Sequence, residues 1–322
     1  MPKSSKPLWL EWTVISCIHL MLFVTTRLPI RWSRGLGRLV GAFLYRLNRR
    51  MRWVAIRNLE LAYPQWSDVR RRQVARQSVQ ATGELMAEMG SLWLRPWEHT
   101  AGMIEFDGLE YLQDPLQNGR GVIVLGPHLG NWELLGIYLA TLGDLVALYE
   151  PLSFKKLDRL VHSHRQRNGG QLVPTTPRGI ATLVQSVRAG GITGILPDQV
   201  PDNDNAGENA PFYGVPCFTA SLASNLINKS GATPVMGAML RTPQGFRGTF
   251  RPAERGVLSD EPREALAAIN LSVEKLIAGN ESQYQWQYKR FRCRPDNGVG
   301  YYNWDVLPIG HPIGDLHDTG HR

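Results

Sequence analysis

The chain has 322 residues, 43% of them hydrophobic and 20% charged. That is enough for one large α/β domain with an appendage, or for two domains, and it excludes a wholly disordered protein. The formal charge of +8 points to a polyanionic partner: nucleic acid, an anionic membrane surface or an acidic carrier protein. Cys17, Cys217 and Cys293 are far apart and lack CxxC spacing. This argues against a disulfide framework or a structural zinc site and suits a reducing compartment.

The first element is Leu8 to Thr26, LWLEWTVISCIHLMLFVTT, interrupted only by Glu11 and His19. It is just long enough to cross a bilayer core. No small-residue cleavage site follows, so it does not read as a clean signal peptide. It predicts a membrane anchor over residues 1–28, either a transmembrane helix or a helix lying in the interface, with Trp9 and Trp12 at headgroup level. From Arg27 to Arg57 there are nine arginines and no Asp, Glu or Lys. Such a run faces the cytoplasm and is drawn to an anionic leaflet. The interleaved Leu36, Leu39, Val40, Phe43, Leu44 and Leu47 predict that one helix face packs while the other carries the arginines. Nucleic acid is disfavoured, because no recognition module or RNP-like aromatic motif is present.

Residues 30–62 read as helix, with Pro29 at its start and Pro64 ending the segment. Ser67 offers an N-cap for a long helix through Leu94, stopped by Pro96. The pattern then changes. Short apolar runs at 121–125, 145–149, 171–173 and 192–196 read as strands, and 131–142, 154–167 and 178–188 as helices. A polar loop over 197–209, a helix at 219–229, paired strands at 233–240 and 246–250 and a final helix over 263–278 follow. Alternating strands and helices imply an α/β fold with a mostly parallel sheet covered by helices on both faces. Functional loops in such sheets follow the carboxyl ends of the strands.

Two candidate motifs sit at such ends. His128-Leu-Gly-Asn-Trp-Glu133 follows strand 121–125, a His and a carboxylate five apart. With 8 His and 28 acids in the chain, roughly 0.7 such pairs arise by chance, so the spacing alone leaves a turn-capping His and a favourable first-turn acid equally tenable. Its place at a strand-to-helix turn favours chemistry: a carboxylate on one imidazole nitrogen fixes the tautomer and raises the basicity of the other. Leu196-Pro-Asp-Gln199 follows strand 192–196, where Asp198 is either a site residue or an ordinary turn former. Between them, Arg165 and Arg167 in His162-Ser-His-Arg-Gln-Arg-Asn-Gly-Gly170 either bind a phosphate or carboxylate or complement a helix C-terminus. His162 and His164 are two apart and share no helix face, which argues against a metal site. No Gly-x-Ser-x-Gly elbow, Walker A or Rossmann signature is present. What remains is base-assisted transfer to a hydroxyl supplied by a substrate.

Several collinear segments carry a more specific signal. They are Leu36-Gly-Arg-Leu-Val-Gly41, Arg57-Asn-Leu-Glu-Leu-Ala-Tyr-Pro64, His128-Leu-Gly-Asn-Trp-Glu133, Arg165-Gln-Arg-Asn-Gly169, Leu196-Pro-Asp-Gln199, Pro211-Phe-Tyr-Gly214 and Trp286-Gln-Tyr-Lys-Arg-Phe291. Together they resemble the bacterial lipid A biosynthesis late (lauroyl/myristoyl) acyltransferase family, within the lysophospholipid acyltransferase-like group and its His-x4-Asp/Glu signature. The resemblance runs from the N-terminal anchor to about residue 293. It implies an acyltransferase domain over 29–310, with a helical membrane-facing part at 29–100 and an α/β catalytic core at 101–295, then a flexible tail at 311–322. It implies His128 as general base, Glu133 as its orienting partner, and Arg165 and Asp198 completing the catalytic set. Gly130, Asn131, Arg167 and Gln199 are the implied substrate-binding residues. The implied donor is a fatty acyl thioester of acyl carrier protein, and the acceptor a hydroxyl on a phosphorylated glycolipid, the lipid A precursor. No metal or dissociable cofactor is implied, and the reaction is placed at the cytoplasmic face of the bacterial inner membrane. Many relatives have His where this chain has Tyr288, so that position receives no role. The rival readings are an acyltransferase of the same group acting on another phospholipid, glycolipid or aminolipid, a non-catalytic membrane protein that binds acyl chains or acyl carrier protein, and an esterase or thioesterase.

Overall fold

A computed structural model of the chain describes residues 8–167, 169–295, 299–304 and 309. The tail expected at 311–322 lies outside them. The elements in chain order are α1 (Leu8–Arg27), α2 (Ile30–Leu47), α3 (Arg49–Ala62), α4 (Asp68–Leu94), α5 (Trp97–Ala101), β1 (Ile104–Asp107), α6 (Glu110–Gln117), β2 (Val122–Leu125), α7 (Trp132–Thr141), β3 (Val146–Tyr149), α8 (Lys155–Gln166), β4 (Gln171–Pro174), α9 (Pro177–Arg188), β5 (Ile192–Ile195), β6 (Gly207–Phe212), β7 (Val215–Ala220), α10 (Leu222–Ser230), β8 (Thr233–Arg241), β9 (Phe246–Pro252) and α11 (Pro262–Ile277).

The main sheet has the order β1-β9-β8-β2-β5. β2 runs parallel to both β5 and β8, and β1 parallel to β9. The β8–β9 hairpin is antiparallel, and so is a separate β6–β7 ribbon. The expectation of a mostly parallel sheet is therefore corrected to a mixed one. The short Thr242–Gly245 connection allows only an antiparallel return, since a parallel one needs a crossover of a dozen or more residues. β6 begins in the segment read as a polar loop (197–209), and β7 ends in the one read as a helix (219–229). Glu208, Asn209 and Pro211 hide the strand alternation, and the Tyr213-Gly214 turn, with both φ positive (51° and 75°), closes the hairpin. β3 and β4 form a two-stranded parallel pair that joins β5 through a bridge between Leu145 and Ile192.

β2 is buried on both faces, as an unbroken Val-Ile-Val-Leu run requires. Ile123 and Leu125 pack with Leu183 of α9, Ile227 of α10 and Leu266 of α11. Val122 and Val124 pack on the opposite side with Leu134 and Leu139 of α7 and Leu112 of α6.

The helical N-terminal third differs from expectation in three respects. First, among the described residues no helix is long and apolar enough to cross a membrane, which corrects the transmembrane reading of α1. Polar side chains dilute α1, and it is tied to the rest of the fold. Ile15 and Leu22 are buried, the Thr26 hydroxyl donates to the Gly90 carbonyl of α4 (2.8 Å), and Glu11 accepts from the Lys156 N–H in the first turn of α8 (2.7 Å). Second, α2 packs by its small residues and exposes its large ones. Gly37 and Gly41 lie so close to α4 that a Cβ on Gly37 would stand 2.4 Å from the Gly83 carbonyl oxygen, and one on Gly41 2.6 Å from the Gln80 Cα. Trp32, Leu36, Leu39, Val40, Phe43, Leu44 and Leu47 are exposed. The apolar stripe was expected to be the packed face. Periodicity identifies a face without saying which face is covered, and here the glycines permit the closer backbone approach. Third, Asn48 divides the segment read as one helix, its side chain accepting from Met51 N–H to start α3.

Candidate active site

The parallel register of β2 and β5 builds the site. Leu125 lies opposite Ile195, so the two strands leave the sheet side by side. The third residue beyond each, His128 and Asp198, then meet. Asp198 Oδ2 accepts from the His128 backbone N–H and Oδ1 from the imidazole Nδ1, each at 2.9 Å. Burial alone would raise the Asp198 carboxyl. The His128 ring and N–H, with Arg290 behind them, outweigh burial and hold it below the usual carboxylate range. An ionised Asp198 is acceptor only, so Nδ1 carries a proton, and in the neutral ring it is Nε2 that presents a lone pair. Gln199 stands at that nitrogen, its amide Nε2 3.0 Å from His128 Nε2. The Trp132 ring lies 4.9 Å from the imidazole, centroid to centroid.

The loop is locked from behind. Gly130 has φ +61°, and a Cβ there would lie 2.2 Å from the Met239 carbonyl oxygen. Its N–H donates to Gln283 O (3.1 Å), and the His128 carbonyl accepts from Gln285 N–H (3.0 Å). Asn131 caps α7, accepting from Leu134 N–H at 2.9 Å, while its amide donates to Glu88 of α4 at 2.7 Å. Gly130 and Asn131, expected to bind substrate, are thus placed as the supports of the loop. Glu133 does not reach His128. It faces α8, where it accepts from Arg165 Nε (3.1 Å) and from Arg165 Nη2. Burial works against the charge on Arg165, and the Glu133 carboxylate more than offsets it. Arg167 is turned away, donating to the Trp93 carbonyl at 2.6 Å. His128, Glu133, Arg165, Asp198 and Gln199 therefore converge, with Asp198 taking the orienting position expected of Glu133.

Three contributors receive no role from the sequence, although Tyr288 lies in the segment 286–291. Glu88 lies within a long helix with nothing nearby to mark it. Tyr284 is fully buried beside Asp198, its hydroxyl held protonated by burial and by that carboxylate. Tyr288, assigned no role, accepts at its hydroxyl from Val200 N–H (2.9 Å) and so pins the Asp198–Gln199 loop.

An apolar cavity of ≈ 230 Å³ opens beside His128, Trp132, Glu133 and Arg165 and runs inward past Leu135, Ala147 and Gly194. An imidazole oriented by a carboxylate on the wall of a hydrocarbon-lined cavity suits acyl transfer, and one comparison decides the lineage. The family model for bacterial lipid A biosynthesis acyltransferases matches residues 2–293. The chain belongs to that family. It is 26% identical over 291 residues to the lipid A biosynthesis palmitoleoyltransferase of Escherichia coli (strain K12), covering 89% of this chain and 92% of that one. It is 26% identical over 315 residues to the lauroyltransferase of the same organism (94% and 99% covered) and 27% over 274 residues to its myristoyltransferase (84% of each). Acyltransferase activity in lipid A biosynthesis is thus the family's chemistry, and the resemblance noted in the sequence is confirmed across the chain.

Proposed function

We propose that this family member transfers a fatty acyl group from the thioester of acyl carrier protein to a hydroxyl of a phosphorylated lipid A precursor, at the cytoplasmic face of the inner membrane. The observation that carries the reading is the His128–Asp198 pair at the wall of the apolar cavity. With Nδ1–H committed to Asp198, His128 Nε2 takes the proton of the acceptor hydroxyl as its oxygen attacks the thioester carbonyl. The carbon–sulfur bond breaks, and the imidazolium returns the proton to the departing thiolate. No protein nucleophile is needed, and the thioester supplies the driving force. Arg165, fixed by Glu133, contributes positive charge for the oxyanion or for an acceptor phosphate. The cavity takes the acyl chain, with each buried methylene worth about 0.8 kcal/mol. The positive net charge supports an acidic carrier as donor.

The test is mass spectrometry of lipid A from cells with and without the gene, alongside purified protein given acyl carrier thioester and precursor. Loss of one acyl chain in cells, together with acceptor-dependent transfer in vitro, supports the proposal. Transfer only to another lipid, or release of free fatty acid without an acceptor, overturns it.

A further inference from the structure

A second cavity, ≈ 540 Å³, lies behind the catalytic loop between α2, α4 and the end of β8. Its lining includes Arg31, Arg34, Arg38, Gln80, Glu84 and Arg241. Arg34 is buried and donates to Glu88 (2.7 Å), Thr242 O (2.6 Å) and Gly245 O (2.8 Å), which fixes its positive charge at the cavity wall. Arg241 is also buried, its side chain 6% exposed, and it pairs with Glu88 through Nε (3.0 Å) and Nη2 (2.9 Å). Its Nη1 and Nη2 are both buried with no hydrogen-bond partner among the described residues, the Nη2 contact with Glu88 being an ion pair only. A donor on a charged group left unmet in a buried position is costly, and an anion in the cavity satisfies it.

The balance of charge points the same way. Four guanidiniums face two carboxylates, Glu84 and Glu88. Burial pushes the Glu84 carboxyl up from its usual range, with Arg241 and Arg38 opposing it and Glu88 adding to it, so two carboxylates remain against four guanidiniums. Arg31 is exposed, and Arg38, 53% exposed at its side chain, is paired with Glu84 at 2.8 Å. Arg38 and Gln80 also line a neighbouring cavity of ≈ 680 Å³ walled by Trp32, Leu36 and Leu39. That cavity continues into the exposed stripe of α2, where Leu39 is 71% and Phe43 62% exposed. A cationic cup therefore adjoins an apolar wall on one surface, the arrangement that suits a phosphate joined to hydrocarbon chains.

We propose that the cup formed by Arg31, Arg34, Arg38 and Arg241 binds the phosphate of a membrane-lipid headgroup, with the apolar stripe of α2 lying against the acyl chains. This site is separate from the acyl cavity, and it stands whether or not the acceptor assigned above is correct. It seats the protein on an anionic leaflet without a spanning helix.

Vesicle flotation tests it directly, using phosphatidylcholine vesicles with and without phosphatidic acid. The wild-type chain is expected to prefer the phosphatidic acid vesicles. The double variant Arg31→Gln/Arg38→Gln, at exposed positions that leave the fold intact by circular dichroism, loses about 30-fold of that preference, at ~1 kcal/mol per basic residue. The control Arg178→Gln/Arg263→Gln removes the same charge from exposed sites on α9 and α11 and retains most of the preference. Leu39→Ser/Phe43→Ser weakens binding to both vesicle types. Equal losses in the pocket and control variants mean that net charge acts alone, which overturns the site. Inorganic phosphate that binds the wild type without vesicles, coupled with vesicle binding indifferent to Leu39→Ser/Phe43→Ser, makes it a free-phosphate site and overturns the lipid assignment.

Discussion

Replacing Asp198 by Asn changes one atom's chemistry and leaves the shape. The carboxylate accepts twice from His128, at the backbone N–H and at Nδ1, both 2.9 Å away. An Asn amide has one acceptor and one donor end. If its oxygen stays on the backbone N–H, its NH₂ faces Nδ1, and the ring proton must move to Nε2. The lone pair that would take the acceptor proton is then gone, and Nε2–H meets the Gln199 amide instead. Loss of the correct tautomer in a His–Asp pair costs on the order of 10⁴-fold in kcat, or ~5.5 kcal/mol of transition-state stabilisation. The stability loss is smaller, about 1.5–3 kcal/mol for a bond to a charged group, against the ~5–15 kcal/mol holding a fold. Asp198→Asn is therefore expected to fold, to bind acyl donor and to be nearly inactive in steady-state transfer assays. Acid titration gives a second readout. Asp198 is held below its usual value in the folded state, so it contributes stability that is complete above the ordinary carboxylate range of about 3.9 and is lost as pH falls through the depressed folded value. Asp198→Asn lacks that contribution at neutral pH and shows a shallower loss in acid. A variant retaining kcat within roughly threefold of wild type would refute the orienting role.

Glu133→Gln removes the charge that holds Arg165 and leaves the His128–Asp198 bonds untouched. Transfer is expected to fall about 10²-fold through misplacement, with a higher KM for the acceptor; a kcat loss equal to that of Asp198→Asn, with KM unchanged, would instead make Glu133 the base's partner. Ala147→Phe places a ring in the cavity wall and is expected to shift chain preference to shorter donors, about fourfold per methylene lost; an unchanged profile across acyl carrier thioesters of graded length would place the chain elsewhere. Gly37→Leu drives a side chain into the Gly83 carbonyl, so α2 and α4 must part, at a cost of about 1–3 kcal/mol visible as a lower melting temperature; an unchanged melt would contradict the close packing.

What the sequence made legible follows from short-range signals. The strand-to-helix turn at His128, the strand end at Asp198, the Ser67 cap of α4 and the β8–β9 pair are all written in adjacent residues. The partner of His128 is not. Choosing between Glu133 and Asp198 requires knowing that β2 and β5 are neighbours in register, a contact 70 residues apart in the chain. Glu133 is nearer in sequence, yet the Asn131 cap starts α7 in a direction that turns its carboxylate toward α8. The supports contributed by Glu88 and Tyr284 depend on packing between distant elements and leave no periodic mark. The inverted face of α2 shows the same limit, because its stripe was visible and its covering was not. Gly37 and Gly41 carried that information, as positions where backbones touch.

The central claim is that His128 Nε2 takes the proton from the attacking hydroxyl. Its most direct test is the rate of acyl transfer by purified His128→Ala from acyl carrier thioester to the proposed lipid A precursor, followed by mass spectrometry, with folding checked by circular dichroism. The structure predicts a folded protein whose transfer falls by at least about 10²–10⁴-fold, the usual share of a general base. Wild-type rates in His128→Ala would contradict it.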